Sequence, residues 1–201
     1  MGGRSYMVAT RMPMTRAAFD EWLTTPLPGL DAIANPAQMW TGWLLDGETP
    51  DWEADYPSYQ EERRSTPMRL LAGRAARGYT VARHHDGMLE CYLYEYRLDV
   101  HQTQTELLML AGAGRFADAE APVMHWGGEV YPDLPIGGDL PLAVLLTGPS
   151  GARFVSSYPV DELIASLRPV EAAFLGATDE EGGWYPDGTV DPALETPPSL
   201  R

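Results

Sequence analysis

Lysine is absent from this chain of 201 residues, and its basic residues are 14 arginines and four histidines. Without a side-chain amine there can be no Schiff-base lysine, no phosphate-loop lysine and no ATP-contacting lysine of the protein-kinase type. The arginines face 29 aspartates and glutamates, which gives a formal net charge of -15. Such a surplus of carboxylates opposes binding to nucleic-acid phosphates and to anionic membranes. We therefore expect neither nucleic acid nor a membrane as a partner.

Cysteine is also scarce, since Cys91 is the only one and no intramolecular disulfide can form. This favours a reducing cytoplasm as the compartment. No run of eighteen apolar residues occurs, and the first residues contain no apolar stretch of signal-peptide length. With 44% hydrophobic residues, a chain of this size can bury one sizeable core. We expect one domain over residues 1–177, with an acidic loop at 46–62.

The strongest local signal is the dipeptide Asp86-Gly87 between two strand-like segments, 79–85 and 88–98. A two-residue Asp-Gly loop favours a β-hairpin because both turn positions need positive φ. Counting outward from the turn pairs Arg83 with Glu90 across the two strands. Both faces of the second strand are substantially apolar, so we expect it inside a sheet with packing on each side. One face carries Glu90, Tyr92, Tyr94 and Tyr96, and the other carries Leu89, Cys91 and Leu93.

The remaining patterns mix helices with adjacent strands. Apolar spacing and capping residues predict helices near 16–25, 67–77, 100–111 and 160–176, and strands near 5–12, 122–131, 142–146 and 152–157. Without regular β-α-β alternation, this order favours an α+β single-domain sandwich with a mostly antiparallel sheet packed by about four helices. Residues 178–201 are rich in acids, proline and glycine, so we expect a mobile tail.

Two motif-like stretches are better explained by local structure than by ligand binding. Residues 112–117 fit G-x-G-x-x-A, but Pro122 leaves about seven residues for the helix that a dinucleotide loop requires. We interpret the glycines as the end of a helix. Asp51, Glu53, Asp55 and Glu62 have calcium-loop spacing, yet Tyr56 stands where that loop needs glycine. A solvated acidic loop is therefore expected.

Catalytic and metal-binding patterns are weak. The four histidines, His84, His85, His101 and His125, show no metal-ligand spacing, and neighbours on a strand point to opposite faces. Cys91 alternates with leucines, which predicts a buried, unreactive thiol. From these residues we predict no catalytic residues, no metal site and no cofactor.

The acidity and size of the chain favour a non-enzymatic intracellular binding protein that engages a basic partner protein, as toxin-neutralising immunity proteins or small adaptors do. The predicted partner-binding carboxylates are Asp46, Glu48, Asp51, Glu53 and Asp55. The alternative is a small-molecule-binding protein or enzyme with an aromatic-lined cleft on the tyrosine face of the sheet. Its candidate ligand-binding residues are Tyr92, Tyr94, Tyr96, Trp126, His125 and Glu90. A structural or oligomeric component without a ligand is a third hypothesis.

Overall fold

The computed structural model describes residues 5–40, 65–75, 80–95, 100–128 and 142–176, and their elements are a sheet and four α-helices. The strands are β1 (Ser5–Pro13), β2 (Thr80–His85), β3 (Met88–Glu95), β4 (Ala121–Gly128), β5 (Leu142–Gly148) and β6 (Gly151–Val155). The helices are α1 (Arg16–Thr24), α2 (Pro67–Ala75), α3 (Val100–Ala113) and α4 (Val160–Gly176). Short 3-10 segments cover Leu30–Ala32, Pro36–Trp40 and Gly114–Phe116.

The six strands form one sheet in the order β2-β3-β1-β4-β5-β6, and every neighbouring pair is antiparallel. The amino-terminal strand β1 therefore lies in the middle, between β3 and β4. This architecture confirms the predicted α+β fold with a mostly antiparallel sheet and four helices. Within the described residues, no helix has both the length and the apolarity needed to cross a lipid bilayer.

The β2-β3 hairpin has the register expected from its turn. His85 pairs with Met88, Arg83 with Glu90 and Val81 with Tyr92. Asp86 and Gly87 take φ values of 51° and 74°, the left-handed conformation that this turn requires. A second hairpin joins β5 and β6, which occupy the two segments predicted as strands near 142–146 and 152–157, and Gly148 pairs with Gly151 at its turn.

Both faces of the sheet are covered by helices. On one face α1, α2 and α3 pack against strand residues that include Val8, Leu89 and Cys91. On the other face, α4 packs against a smaller apolar set that includes Ala9 and Tyr92. The alternation of β3 residues between the two cores confirms the expectation that this strand is packed on each side.

Capping residues explain where the helices begin. Thr15 accepts a hydrogen bond from the amide of Ala18 at the start of α1, and Thr66 accepts one from the amide of Arg69 at the start of α2. Each hydroxyl satisfies an amide that has no partner inside the helix. In α4 the residues Leu163, Leu167, Val170 and Phe174 are buried, as its helical spacing predicts.

The G-x-G-x-x-A stretch is the end of α3 followed by a 3-10 turn, so the predicted helix terminus is confirmed. Gly114 has a further role that its motif does not reveal. A Cβ built on Gly114 would lie 2.6 Å from the amide nitrogen of Gly148 and would also meet the Thr147 side chain. Glycine is therefore required here because the backbones of this turn and of β5 approach closely.

The outer edge of β6 is covered by residues that follow the first 3-10 segment. Ile33 forms an isolated parallel bridge with Ala152, whose carbonyl accepts a hydrogen bond from the Ala34 amide. The side-chain amide of Asn35 donates to the Phe154 carbonyl and accepts from the Phe154 amide. These contacts satisfy backbone groups that a sheet edge would otherwise expose.

Two predicted features lie outside the described residues. They are the acidic loop at 46–62 and the tail at 178–201, and the expected mobility of that tail stays a prediction.

Candidate functional site

A cluster of charged side chains surrounds Glu90 on β3 in the described part of the chain. Its side chain is 0% exposed and lies between two arginines from the neighbouring strands. Arg83 on β2 donates from Nε to Oε2 at 2.9 Å, and its Nη2 lies 2.8 Å from the same oxygen. Arg11 on β1 donates from Nε to Oε1 at 3.2 Å. The sequence predicted Arg83 but not Arg11, because no local pattern shows that β1 pairs with β3.

This cluster is better explained as structural than as catalytic. The carboxylate accepts charge-assisted hydrogen bonds at both oxygens, so its desolvation is compensated. The ion pairs to Arg11 and Arg83, whose side chains are only 30% and 25% exposed, link β3 to both neighbouring strands on this face. His85 approaches the same carboxylate, with its Nδ1 at 3.7 Å from Oε1.

Tyr92, two residues after Glu90, is buried under α4. Its ring stacks on Phe174 with centroids 4.3 Å apart and planes inclined by 28°. Its hydroxyl donates to the sulfur of Met7 at 3.4 Å. A ligand on this face would therefore have to lie beside Tyr92, because α4 occupies the space over its ring.

His125 lies on the opposite face of the sheet from Glu90 and Tyr92. Its cross-strand partners Val8 and Ala143 pack in the core under α1, α2 and α3, and opposed residues share a face. Adjacent strand residues alternate between faces, so His125 does not converge with Glu90 on one cleft. The hypothesis of a ligand cleft on the tyrosine face requires His125 and Glu90 beside the same ligand.

The environment of His125 determines its charge. Burial away from water lowers its pKa from 6.5 to about 4, although a hydrogen bond to the Met7 carbonyl partly opposes this change. Because a carbonyl can only accept, the bond of 3.1 Å requires a proton on Nδ1. The imidazole is therefore neutral at pH 7.

The other members of the predicted ligand-binding set are only partly located. Tyr94 pairs with Met7 across β3 and β1, and Trp126 pairs with Met7 across β4 and β1. Tyr96 lies outside the described residues. Binding of a ligand by this set stays a prediction.

Cys91 is buried, as its alternation with leucines predicts. Within the described residues, no group of three or more histidine, cysteine or carboxylate side chains is placed to hold a metal ion. The predicted partner-binding carboxylates Asp46, Glu48, Asp51, Glu53 and Asp55 all lie outside those residues.

Sequence reasoning missed an apolar pocket at the junction of α1, α2 and α3. Its cavity measures about 70 Å³, or about 340 Å³ when the open space around its mouth is included. Its buried walls include Trp22, Leu27, Pro67 and Met109. The Trp22 indole donates from Nε1 to the Met109 carbonyl at 3.3 Å, which fixes the ring as a wall. Three prolines of the lining, at positions 26, 28 and 67, are visible in the sequence. Each of them also marks a turn or a helix start, so they did not indicate a pocket.

Comparison with known proteins found no matching family model, no matching curated protein and no matching solved structure.

Proposed function

We propose that this protein is a non-enzymatic binding protein of the cytoplasm that engages a basic partner protein, in the manner of an immunity protein or adaptor. The observation that supports this proposal is the distribution of charge along the chain. The described residues contain twelve carboxylates and eight arginines. Residues 46–62 alone carry seven carboxylates and no basic residue, and residues 178–201 carry six carboxylates with Arg201 as their only base.

Most arginines of the described residues form ion pairs with acids of their own neighbourhood. Arg11, Arg16, Arg83, Arg153 and Arg168 each contact a carboxylate of the described residues. Most arginines of the described residues are therefore already neutralised, and a basic surface on another molecule is the proposed counterpart of the acidic loop. A concentrated negative field raises the association rate with a basic surface and opposes binding to nucleic acid.

The proposal is tested with a variant in which the five predicted partner-binding carboxylates are replaced by their amides: Asp46→Asn, Glu48→Gln, Asp51→Asn, Glu53→Gln and Asp55→Asn. A matched control carries five amide substitutions at exposed carboxylates of the described residues: Asp20→Asn, Glu21→Gln, Asp31→Asn, Asp118→Asn and Glu162→Gln. Both variants change the net charge by the same amount, so the comparison isolates the position of the charge.

Pull-downs from native lysate should recover a basic protein at about 50 mM salt and lose it at about 500 mM, because screening shortens the range of the field. The control should retain this protein and the loop variant should lose it. The proposal fails if no basic protein is released by salt, or if both variants recover it equally.

A further inference from the structure

The pocket between α1, α2 and α3 combines an apolar interior with a single cationic side chain at its mouth. The interior is formed by buried residues such as Trp22, Leu27 and Met109. The mouth is lined by Arg115, which is exposed, and by Phe116, which is half-buried. Both belong to the 3-10 segment Gly114–Phe116 that follows α3. Concave apolar sites with a few polar groups are the usual form of small-molecule sites.

Arg115 differs from most arginines of the described residues in its electrostatic environment. Five of those arginines lie within 4.0 Å of a carboxylate, as given above. Within the part of the chain that the structure describes, no carboxylate pairs with Arg115, although the chain contains about two acids for each arginine. A guanidinium that faces solvent beside an apolar cavity can bind an external carboxylate through two parallel hydrogen bonds.

The backbone around Arg115 limits where its guanidinium can reach. Gly114, immediately before it, is in close contact with β5, and the Ala117 amide donates to the Gly114 carbonyl at 3.2 Å. Two residues before Gly114, Gly112 in the last turn of α3 faces Pro28, whose Cδ would lie 3.1 Å from a Cβ at that position. The backbone just before Arg115 is therefore fixed by close packing against Pro28 and β5, next to the pocket that Arg115 lines.

We propose that this pocket binds a small apolar molecule that bears a carboxylate, with Arg115 recognising the carboxylate and the buried walls taking the apolar part. The inference is independent of the proposed basic partner, because it uses other residues, all of them described by the structure, and a ligand of negative charge.

Octanoate and 1-octanol are suitable probes, because they share an alkyl chain and differ in the charged group. Titration calorimetry and ligand-observed NMR on the full chain should show binding of both, with octanoate the tighter ligand. Arg115→Gln should weaken octanoate about tenfold, as expected for loss of one charge-assisted hydrogen-bonding group, and leave octanol unchanged. Arg168→Gln on α4 removes the same charge on the other face of the sheet and should leave both affinities unchanged.

A second variant tests the location of the apolar part. Thr25 lines the pocket and is half-buried, so Thr25→Phe should fill the mouth and abolish binding of both probes while circular dichroism shows a native fold. The proposal is overturned if folded wild-type protein binds neither probe, or if Arg168→Gln weakens octanoate as much as Arg115→Gln. It is equally overturned if Thr25→Phe binds both probes like the wild type.

Discussion

Among single residues, Glu90 shows how one buried carboxylate can organise three strands. Its two oxygens accept from Arg83 and Arg11, which belong to the strands on either side. The Arg83 contact follows from the hairpin register and was predicted. The Arg11 contact depends on the pairing of β1 with β3, which joins residues far apart in sequence.

Replacing Glu90 by glutamine should destabilise the fold. Glutamine keeps the shape and one acceptor oxygen, but it leaves two partly buried guanidinium groups without their countercharge. Removing one partner of a buried charge cluster costs about 3 kcal/mol. Urea denaturation followed by circular dichroism should show the unfolding midpoint shifted to lower urea with an unchanged slope.

Glu120→Gln is the matched control, because Glu120 pairs with Arg153 where both side chains are about half exposed. Exposed ion pairs contribute little to stability. This variant should unfold at the wild-type urea concentration. Equal effects of the two substitutions would contradict the structural role assigned to Glu90.

At the scale of elements, the turn after α3 is fixed by its contact with β5. Gly114→Ala should destabilise the protein by about 2–3 kcal/mol, since the new methyl group would overlap the Gly148 backbone and the Thr147 side chain. Thr147 would also be displaced from its hydrogen bond to the Ala111 carbonyl at 3.1 Å. Chemical denaturation is the measurement.

At Gly73 we expect the same glycine-to-alanine substitution to have the opposite effect on stability. Gly73 is an exposed position inside α2, and a Cβ there meets nothing within 4 Å. Alanine is favoured over glycine in a helix by about 0.5–1 kcal/mol, so this variant should be more stable than the wild type. A destabilised Gly73→Ala together with a neutral Gly114→Ala would refute the packing described here.

The elements that sequence patterns predicted are those determined by near neighbours. The β2-β3 turn, the caps at Thr15 and Thr66 and the end of α3 all depend on residues a few positions apart. The strand order does not: Thr10 pairs with Cys91 on one side and with Val123 on the other, and no local pattern encodes these pairings. The position of His125 on the sheet face opposite Glu90 follows from that strand order, and so does the pocket between the three helices. Neither could therefore be predicted from local patterns.

For the whole molecule, the burial of His125 makes stability depend on pH. Its pKa is about 4 in the fold and about 6.5 in the unfolded chain. Well above pH 6.5 the His125 imidazole is neutral in both the folded and the unfolded chain, so it does not change the free energy of unfolding. As the pH falls below 6.5 the unfolded chain gains a proton that the fold does not, so stability decreases until about pH 4. At about pH 5 the loss is roughly 2 kcal/mol.

His125→Asn should remove this loss, because asparagine does not titrate and retains a donor for the Met7 carbonyl. Urea denaturation at about pH 7.5 and about pH 5 should show a change in unfolding free energy about 2 kcal/mol smaller than in the wild type. An unaltered acid response in His125→Asn would contradict the buried neutral imidazole.

Asn35 at the margin of β6 has a consequence for contacts between copies of this protein. Its carboxamide occupies both the amide and the carbonyl of Phe154, so an incoming strand finds no free hydrogen-bonding groups on that residue. Chain-to-chain growth of fibrils by strand addition is thereby hindered along this border. A concentrated solution of the folded molecule is thus protected there from end-to-end polymerisation by one uncharged side chain.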